Sequence, residues 1–178
     1  MPLEMYGTAS STKLPLVASL GATPIDYRSE DFVEHIQHLP GGVDAVFDAV
    51  GGRHLWRSFQ ALRRGGRLVG YGFTLENLSE RSFFSAVLRT LPQMAWWSLL
   101  PNGKRAWWYA IVGPLLGIKN RHPEWFREDL TKLIALLEEG KIKPVVAGRL
   151  PLEEIAHAHE LLEQGQVQGK LVLLPHAS

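Results

Sequence analysis

Apolar positions in this chain fall into short runs that alternate with stretches of helical spacing. Leu3–Ala9 reads as a strand, and Ser10–Leu20 as a short helix with Ser10 or Ser11 placed to cap it and Gly21 to end it. Ala22–Tyr27 reads as a second strand, and Ser29–Leu39 as a helix with Glu30 and Asp31 in its first turn. Val43–Val50 is apolar apart from Asp44 and Asp48 and is bounded by paired glycines, the pattern of a strand buried on both faces. Arg53–Leu62 follows as a helix with Leu55, Phe59 and Leu62 on one face, and Gly65–Gly72 as a fourth strand. Further on, "RAWWYAIVG" predicts another strand. Pro123 opens a helix to Gly140 whose Leu130, Leu133, Ile134 and Leu137 form one stripe, with Glu128 and Lys132 as an i,i+4 pair. "KPVVAGRL" predicts a strand and turn, Pro151–Gly165 a helix, and "GKLVLLP" a closing strand. Strands alternating with helices of this length predict an α/β fold with a doubly wound, mostly parallel sheet. No repeat or linker divides the chain, so 1–178 is expected to be one domain.

Composition narrows the partners. The 178 residues suffice for a hydrophobic core, and 19 basic against 18 acidic residues give a net charge of +1. With no basic surplus to displace counterions, nucleic acid is not expected as a partner. The absence of cysteine removes disulfides, thiolate metal sites and a cysteine nucleophile. The first residues lack a positive region leading into an apolar one, so a cytoplasmic protein is expected. Between Phe83 and Ile118 the chain is rich in Leu, Ala and Trp. Its uncharged stretches are split by Lys104 and Arg105 and fall short of the roughly 17–25 residues of a bilayer span. Pro92, Pro101 and Pro114 would also interrupt a single long helix.

Strand-then-glycine units such as "VDAVFDAVGG" occur in nucleotide-binding sheets, yet no G-x-G-x-x-G and no Walker loop is present. The histidines do not make a metal site. His157 and His159 point to different helix faces, and His35 and His38 lack a third ligand nearby. Glu138–Glu139 and Glu153–Glu154 read as solvated helix faces, and no Ser-His-Asp spacing stands out.

The blocks "YGTASSTKLPLVASLGATPIDYRSEDF", "VDAVFDAVGG", "LRRGGRLVGYG" and "GKIKPVVAGRLPLEEIAHAHELLEQGQVQGKLVLLP", in this order, resemble the Rossmann-like cofactor domain of medium-chain dehydrogenase/reductases. The branch they look most like is that of the zinc-independent quinone oxidoreductases. The similarity is weakest over Leu75–Arg121. The resemblance implies hydride transfer from NADPH, with NADH second and no zinc, to a quinone or an activated alkene or carbonyl. It also implies that the family's first strand, glycine-rich turn and leading barrel-like substrate domain are absent from these residues. In the strand order 3-2-1-4-5-6 the missing strand is the central one. Two facing strand edges would then either close up, accept another chain, or leave a poorly folding fragment.

An NAD-specific site places Asp or Glu after the second strand to hold the ribose 2′-hydroxyl. Here Gly7–Lys13 carries none, and offers Thr8, Ser10, Ser11, Thr12 and Lys13, a set suited to a 2′-phosphate. The alternative is a helix cap and a solvated lysine. By resemblance, Lys13 and Tyr27 contact the 2′-phosphate, and Val50, Gly51 and Gly52 pass beside the pyrophosphate and nicotinamide ribose. Gly70, Tyr71, Gly72 and Phe73 lie near the nicotinamide, and Lys170 on the pyrophosphate. No catalytic residue is named by the sequence. The resemblance also implies a homo-oligomer paired through strand 105–113, with a membrane-surface element as the alternative for the tryptophan-rich segment. As a whole, the alternative to a reductase is a non-catalytic binding module with the same fold.

Overall fold

A computed structural model describes residues 3–72, 83–111, 117–165 and 167–175. The chain forms two compact units, Met1–Arg121 and His122–Ser178. The first contains strands β1 (Tyr6–Ala9), β2 (Thr23–Asp26), β3 (Val43–Asp48), β4 (Leu62–Gly70) and β5 (Arg105–Trp108). Its helices are α1 (Leu14–Ser19), α2 (Phe32–Gln37), α3 (His54–Ala61), α4 (Phe83–Leu99) and the single turn α5 (Ile118–Arg121). The second contains α6 (Pro123–Glu138), β6 (Val146–Pro151), α7 (Ile155–Glu163) and β7 (Lys170–Leu174).

Every strand pair is parallel, as the alternation of strands and helices predicts, and the fold is Rossmann-like α/β. The strands do not join into one continuous sheet. Instead β1 pairs with β2, β3–β4–β5 form a three-stranded sheet, and β6 pairs with β7. Among the described residues no hydrogen bond links β1 to β3, so these two edges have not closed against each other. Side chains join the two sheets of the first unit where backbone pairing does not. Ile25, Phe32, Val33, Ile36 and Ala61 form one buried cluster, with Tyr6 of β1 and Val43 of β3 packed against it. A second cluster, Leu55, Phe59, Leu62, Leu68, Met94, Trp97 and Ala106, seats α3 and α4 on one face of β3–β4–β5.

Local boundaries move for identifiable reasons. Ser10 stands at the cap position of a 3₁₀ turn, Ser11–Lys13, but its side chain caps nothing and lies 3.4 Å from the Thr12 hydroxyl. Asp31 caps α2 rather than lying inside it, accepting from Val33 N at 2.8 Å and Glu34 N at 3.4 Å. Pro92 was expected to break a helix, but α4 runs through it. Burial of Met94 and Trp97 just beyond offsets the lost backbone bond. The strand expected over "RAWWYAIVG" is confined to Arg105–Trp108, with residues 112 and 113 outside the described residues. The helix expected from Pro151 begins only at Ile155, because Pro151 still pairs with Leu174 as the last residue of β6. The predicted Glu128–Lys132 pair forms at 2.6 Å on exposed α6.

Candidate functional site

Parallel pairing sends the C-terminal ends of all strands in a sheet to one edge, where ligands of open α/β sheets bind. On the β1–β2 edge, Ala9 pairs with Asp26, so Ser10–Lys13 and Tyr27 emerge side by side. Tyr27 N donates to Ala9 O at 3.3 Å and its ring is exposed. Thr8 and Ser11 are exposed, and Ser10 and Lys13 partly so. Lys13 forms no ion pair among the described residues. Hydroxyls and an uncompensated ammonium have the chemistry of a phosphorylated-ribose subsite.

On the β3–β4 edge, the turns holding Val50–Gly52 and Tyr71–Gly72 meet. Tyr71 N donates to Asp48 O at 2.9 Å, and a Cβ on Gly72 would lie 2.7 Å from Ala49 O, so only glycine fits this approach. Gly51 and Gly52 have φ of +76° and +57°, the left-handed region that glycine enters without strain. The two edges adjoin. The Phe32 ring at the start of α2 stacks on His54 at the start of α3, 5.0 Å between centroids, and Arg57 reaches Asp31 at 2.7 Å. Thus Thr8, Ser10, Ser11, Lys13, Tyr27, Val50, Gly51 and Gly72 share one side of the first unit. Phe73 lies outside the described residues. Lys170 belongs to the second unit, exposed at the start of β7.

The turn after β3 is organised by a residue that no motif in the sequence marks as a site member. Asp48, 3% exposed, accepts from Val50 N at 2.8 Å, Gly51 N at 2.9 Å and Ser58 Oγ at 2.6 Å, and lies 2.9 Å from His54 Nδ1. Burial pushes its carboxyl up, but the bonds from His54, Ser58 and Gly51 together outweigh burial and hold it below the usual carboxylate range. Ser58 and His54 contact the same carboxylate oxygen, Oδ2. The imidazole therefore does not stand between acid and hydroxyl as a nucleophile's base would. The group holds the Val50–Gly52 turn in place. An Asp three residues before a glycine at a strand end was the available signal. Among the described residues no three His, Asp or Glu side chains gather as a metal site requires.

Comparison with known proteins agrees with this geometry. Residues 20–173 match the sequence profile of a family described as zinc-binding dehydrogenase. The synaptic vesicle membrane protein VAT-1 homolog of Mus musculus is 30% identical over 97% of this chain and 43% of its own length. Quinone oxidoreductase 1 of Escherichia coli is 30% identical over 95% of this chain and 47% of its own. The crystal structure of an Escherichia coli quinone oxidoreductase complexed with NADPH superposes with a TM-score of 0.69 at 28% identity, over 97% of this chain and 49% of that one. The chain thus spans less than half the length of these relatives. With its parallel strands, glycine turns and profile match together, the chain belongs to the zinc-binding dehydrogenase family of the medium-chain dehydrogenase/reductase superfamily.

Proposed function

We propose that this chain is the cofactor-binding part of an NADPH-dependent oxidoreductase that reduces quinones or activated alkenes and carbonyls. The observation that carries this reading is the end of β1. Four hydroxyl residues and Lys13 stand beside Tyr27, with no acidic residue from Gly7 to Lys13 to select a free 2′-hydroxyl. A phosphorylated ribose satisfies the Lys13 charge, whereas an unphosphorylated one leaves it unused. The solved relative holding NADPH supports the same assignment. When bound, the dihydronicotinamide supplies a hydride to the acceptor.

The residues of this chain bind and orient. Ser10, Ser11, Thr8, Lys13 and Tyr27 hold the adenosine end. Val50, Gly51 and Gly72 offer side-chain-free backbone along the ribose and nicotinamide end. Asp48 keeps the β3 turn from moving as the cofactor enters. By the resemblance, Lys170 is assigned to the pyrophosphate and Phe73, outside the described residues, to the nicotinamide end. No residue here is assigned proton transfer, and the reading assigns no zinc to this chain. The protein acts in the cytoplasm as a homo-oligomer joined through the strand 105–113, whose described part, β5, comes last in the order β3–β4–β5 among the described residues. No described helix is long and apolar enough to cross a membrane.

Titration of the full chain with NADPH and NADH tests the proposal. Binding of NADPH at least tenfold tighter than NADH, with the preference lost in Lys13→Glu, is expected. Equal affinities, or a preference unchanged by the substitution, would remove the Lys13 assignment. If neither nucleotide binds, the non-catalytic module is the correct reading.

A further inference from the structure

The helical layer over β3–β4–β5 carries a charge pattern that nucleotide binding does not use. Neither α3 nor α4 contains an acidic residue, and none occurs from Arg81 to Pro123, where six Lys and Arg residues lie. Removing those six from the chain's 19 leaves 13 basic residues against all 18 acidic ones. The near-neutral total thus hides a basic segment and an acidic remainder. The same layer exposes large aromatic and apolar groups. Met94 and Trp97 anchor α4 inward, which turns Trp96 (66% exposed) and Leu99 (77%) outward with Arg89 and Pro92. Trp56 of α3, 41% exposed, packs against Trp97 at 5.1 Å, so it borders the same outer surface, with Arg53 exposed one turn earlier. Arg105 donates to Ser98 O and places its charge beside Leu99. Lys104 is excluded, since its ammonium turns inward to Phe59 O at 3.1 Å and Gln60 O at 3.4 Å.

Tryptophan favours the boundary between acyl chains and headgroups, and arginine around it favours anionic lipid. A protein partner would need a flat, acidic counterpart, whereas a bilayer surface supplies both chemistries in one plane. A second copy of the same acid-free face would meet it with like charge. We propose that the outer face of α3 and α4, centred on Trp56, Trp96 and Leu99 and ringed by Arg53, Arg89 and Arg105, docks this protein on the surface of a bilayer containing anionic lipid. The contact is peripheral, and it is independent of nucleotide binding.

Co-sedimentation of the full chain with phosphatidylcholine vesicles, with and without 30% phosphatidylserine (~30%, a composition chosen to give a strongly anionic surface), tests this. Binding to the anionic vesicles should exceed binding to neutral ones and weaken with salt. Trp96→Glu should lower the partition coefficient at least about tenfold, and Arg89→Gln about fivefold. Because Trp96 and Arg89 are exposed, both variants should keep the far-ultraviolet circular dichroism of the parent. Trp96→Phe should retain binding but lose part of the tryptophan quenching produced by brominated acyl chains. Equal partition onto neutral and anionic vesicles, or anionic binding unchanged in Trp96→Glu, overturns the proposal. So does a concentration-dependent dimer that Trp96→Glu abolishes while vesicles bind neither form, which would make a second copy the occupant.

Discussion

Asp48 offers the sharpest test of how the candidate site is held. Replacing it with alanine removes one acceptor from four donors. Val50 and His54 are partly exposed, whereas Gly51 and Ser58 are buried, and Ser58 Oγ would keep only a longer contact, 3.4 Å, with His54 Nδ1. One orphaned buried donor at Gly51 and one weakly paired at Ser58, at up to about 1–3 kcal/mol each, give a destabilisation of about 2–5 kcal/mol. That is a large share of the ~5–15 kcal/mol that stabilises an ordinary domain. Asp48→Asn keeps one carbonyl acceptor and the side-chain shape while losing the charge, and should cost about 1–2 kcal/mol. Urea unfolding followed by circular dichroism measures both as a shifted midpoint at unchanged slope. The sign of the pH dependence is fixed. The carboxyl of Asp48 is held below its ordinary value of 3.8, so its contribution is full above that value and fades as pH falls through the folded-state value. Parent and Asp48→Asn should therefore converge in stability below about pH 3.8. An alanine variant within about 0.5 kcal/mol of the parent, an effect expected only for surface changes, would refute the account of this turn. A parent–asparagine difference that does not narrow as pH falls below 3.8 would refute the ionic part of it.

Other outcomes follow from the same geometry. Gly72→Ala forces a Cβ against the Ala49 carbonyl and should cost about 1–3 kcal/mol while weakening NADPH binding, read by thermal melting and by titration. Leu55→Ala, which opens a cavity under α3 between the sheet and Trp97, should cost about 2–5 kcal/mol in the same urea assay. The edges of β1 and β3 that do not pair with each other should make the isolated chain self-associate or melt at low temperature. Size-exclusion chromatography returning a compact monomer with a high melting temperature would count against this. Lys13→Glu should abolish the preference for NADPH over NADH, and unchanged selectivity would detach Lys13 from the 2′-phosphate.

Phe47 shows why an apolar run is incomplete evidence of burial. "VDAVFDAV" correctly predicts a strand, and Val43 and Val46 do pack against the core, yet Phe47 is 71% exposed. Hydropathy states which residues would gain from burial, while a neighbouring layer decides whether they obtain it. The site shows the same division. The glycines of the β3 turn and the hydroxyl-lysine cluster after β1 are legible in the sequence because they are marked by local backbone conformation and residue type. Asp48, His54 and Ser58 were not recognised together, although they lie within eleven consecutive positions. Only the strand-to-helix turn brings His54 and Ser58 together onto one carboxylate oxygen of Asp48.

The amino-acid order by itself determined the alternation of strands and helices, the parallel Rossmann-like class and the chemistry gathered at the end of β1. These depend on periodicity, glycine conformation and side-chain charge, all of which act over a few residues. The tertiary structure alone decided that β1–β2 and β3–β4–β5 remain separate sheets held together by side chains. It also decided that Asp48 is buried and saturated, and that an acid-free aromatic face stands outward. Those outcomes depend on how successive elements turn and pack against one another, and no local pattern carries the geometry of a layer it does not contain.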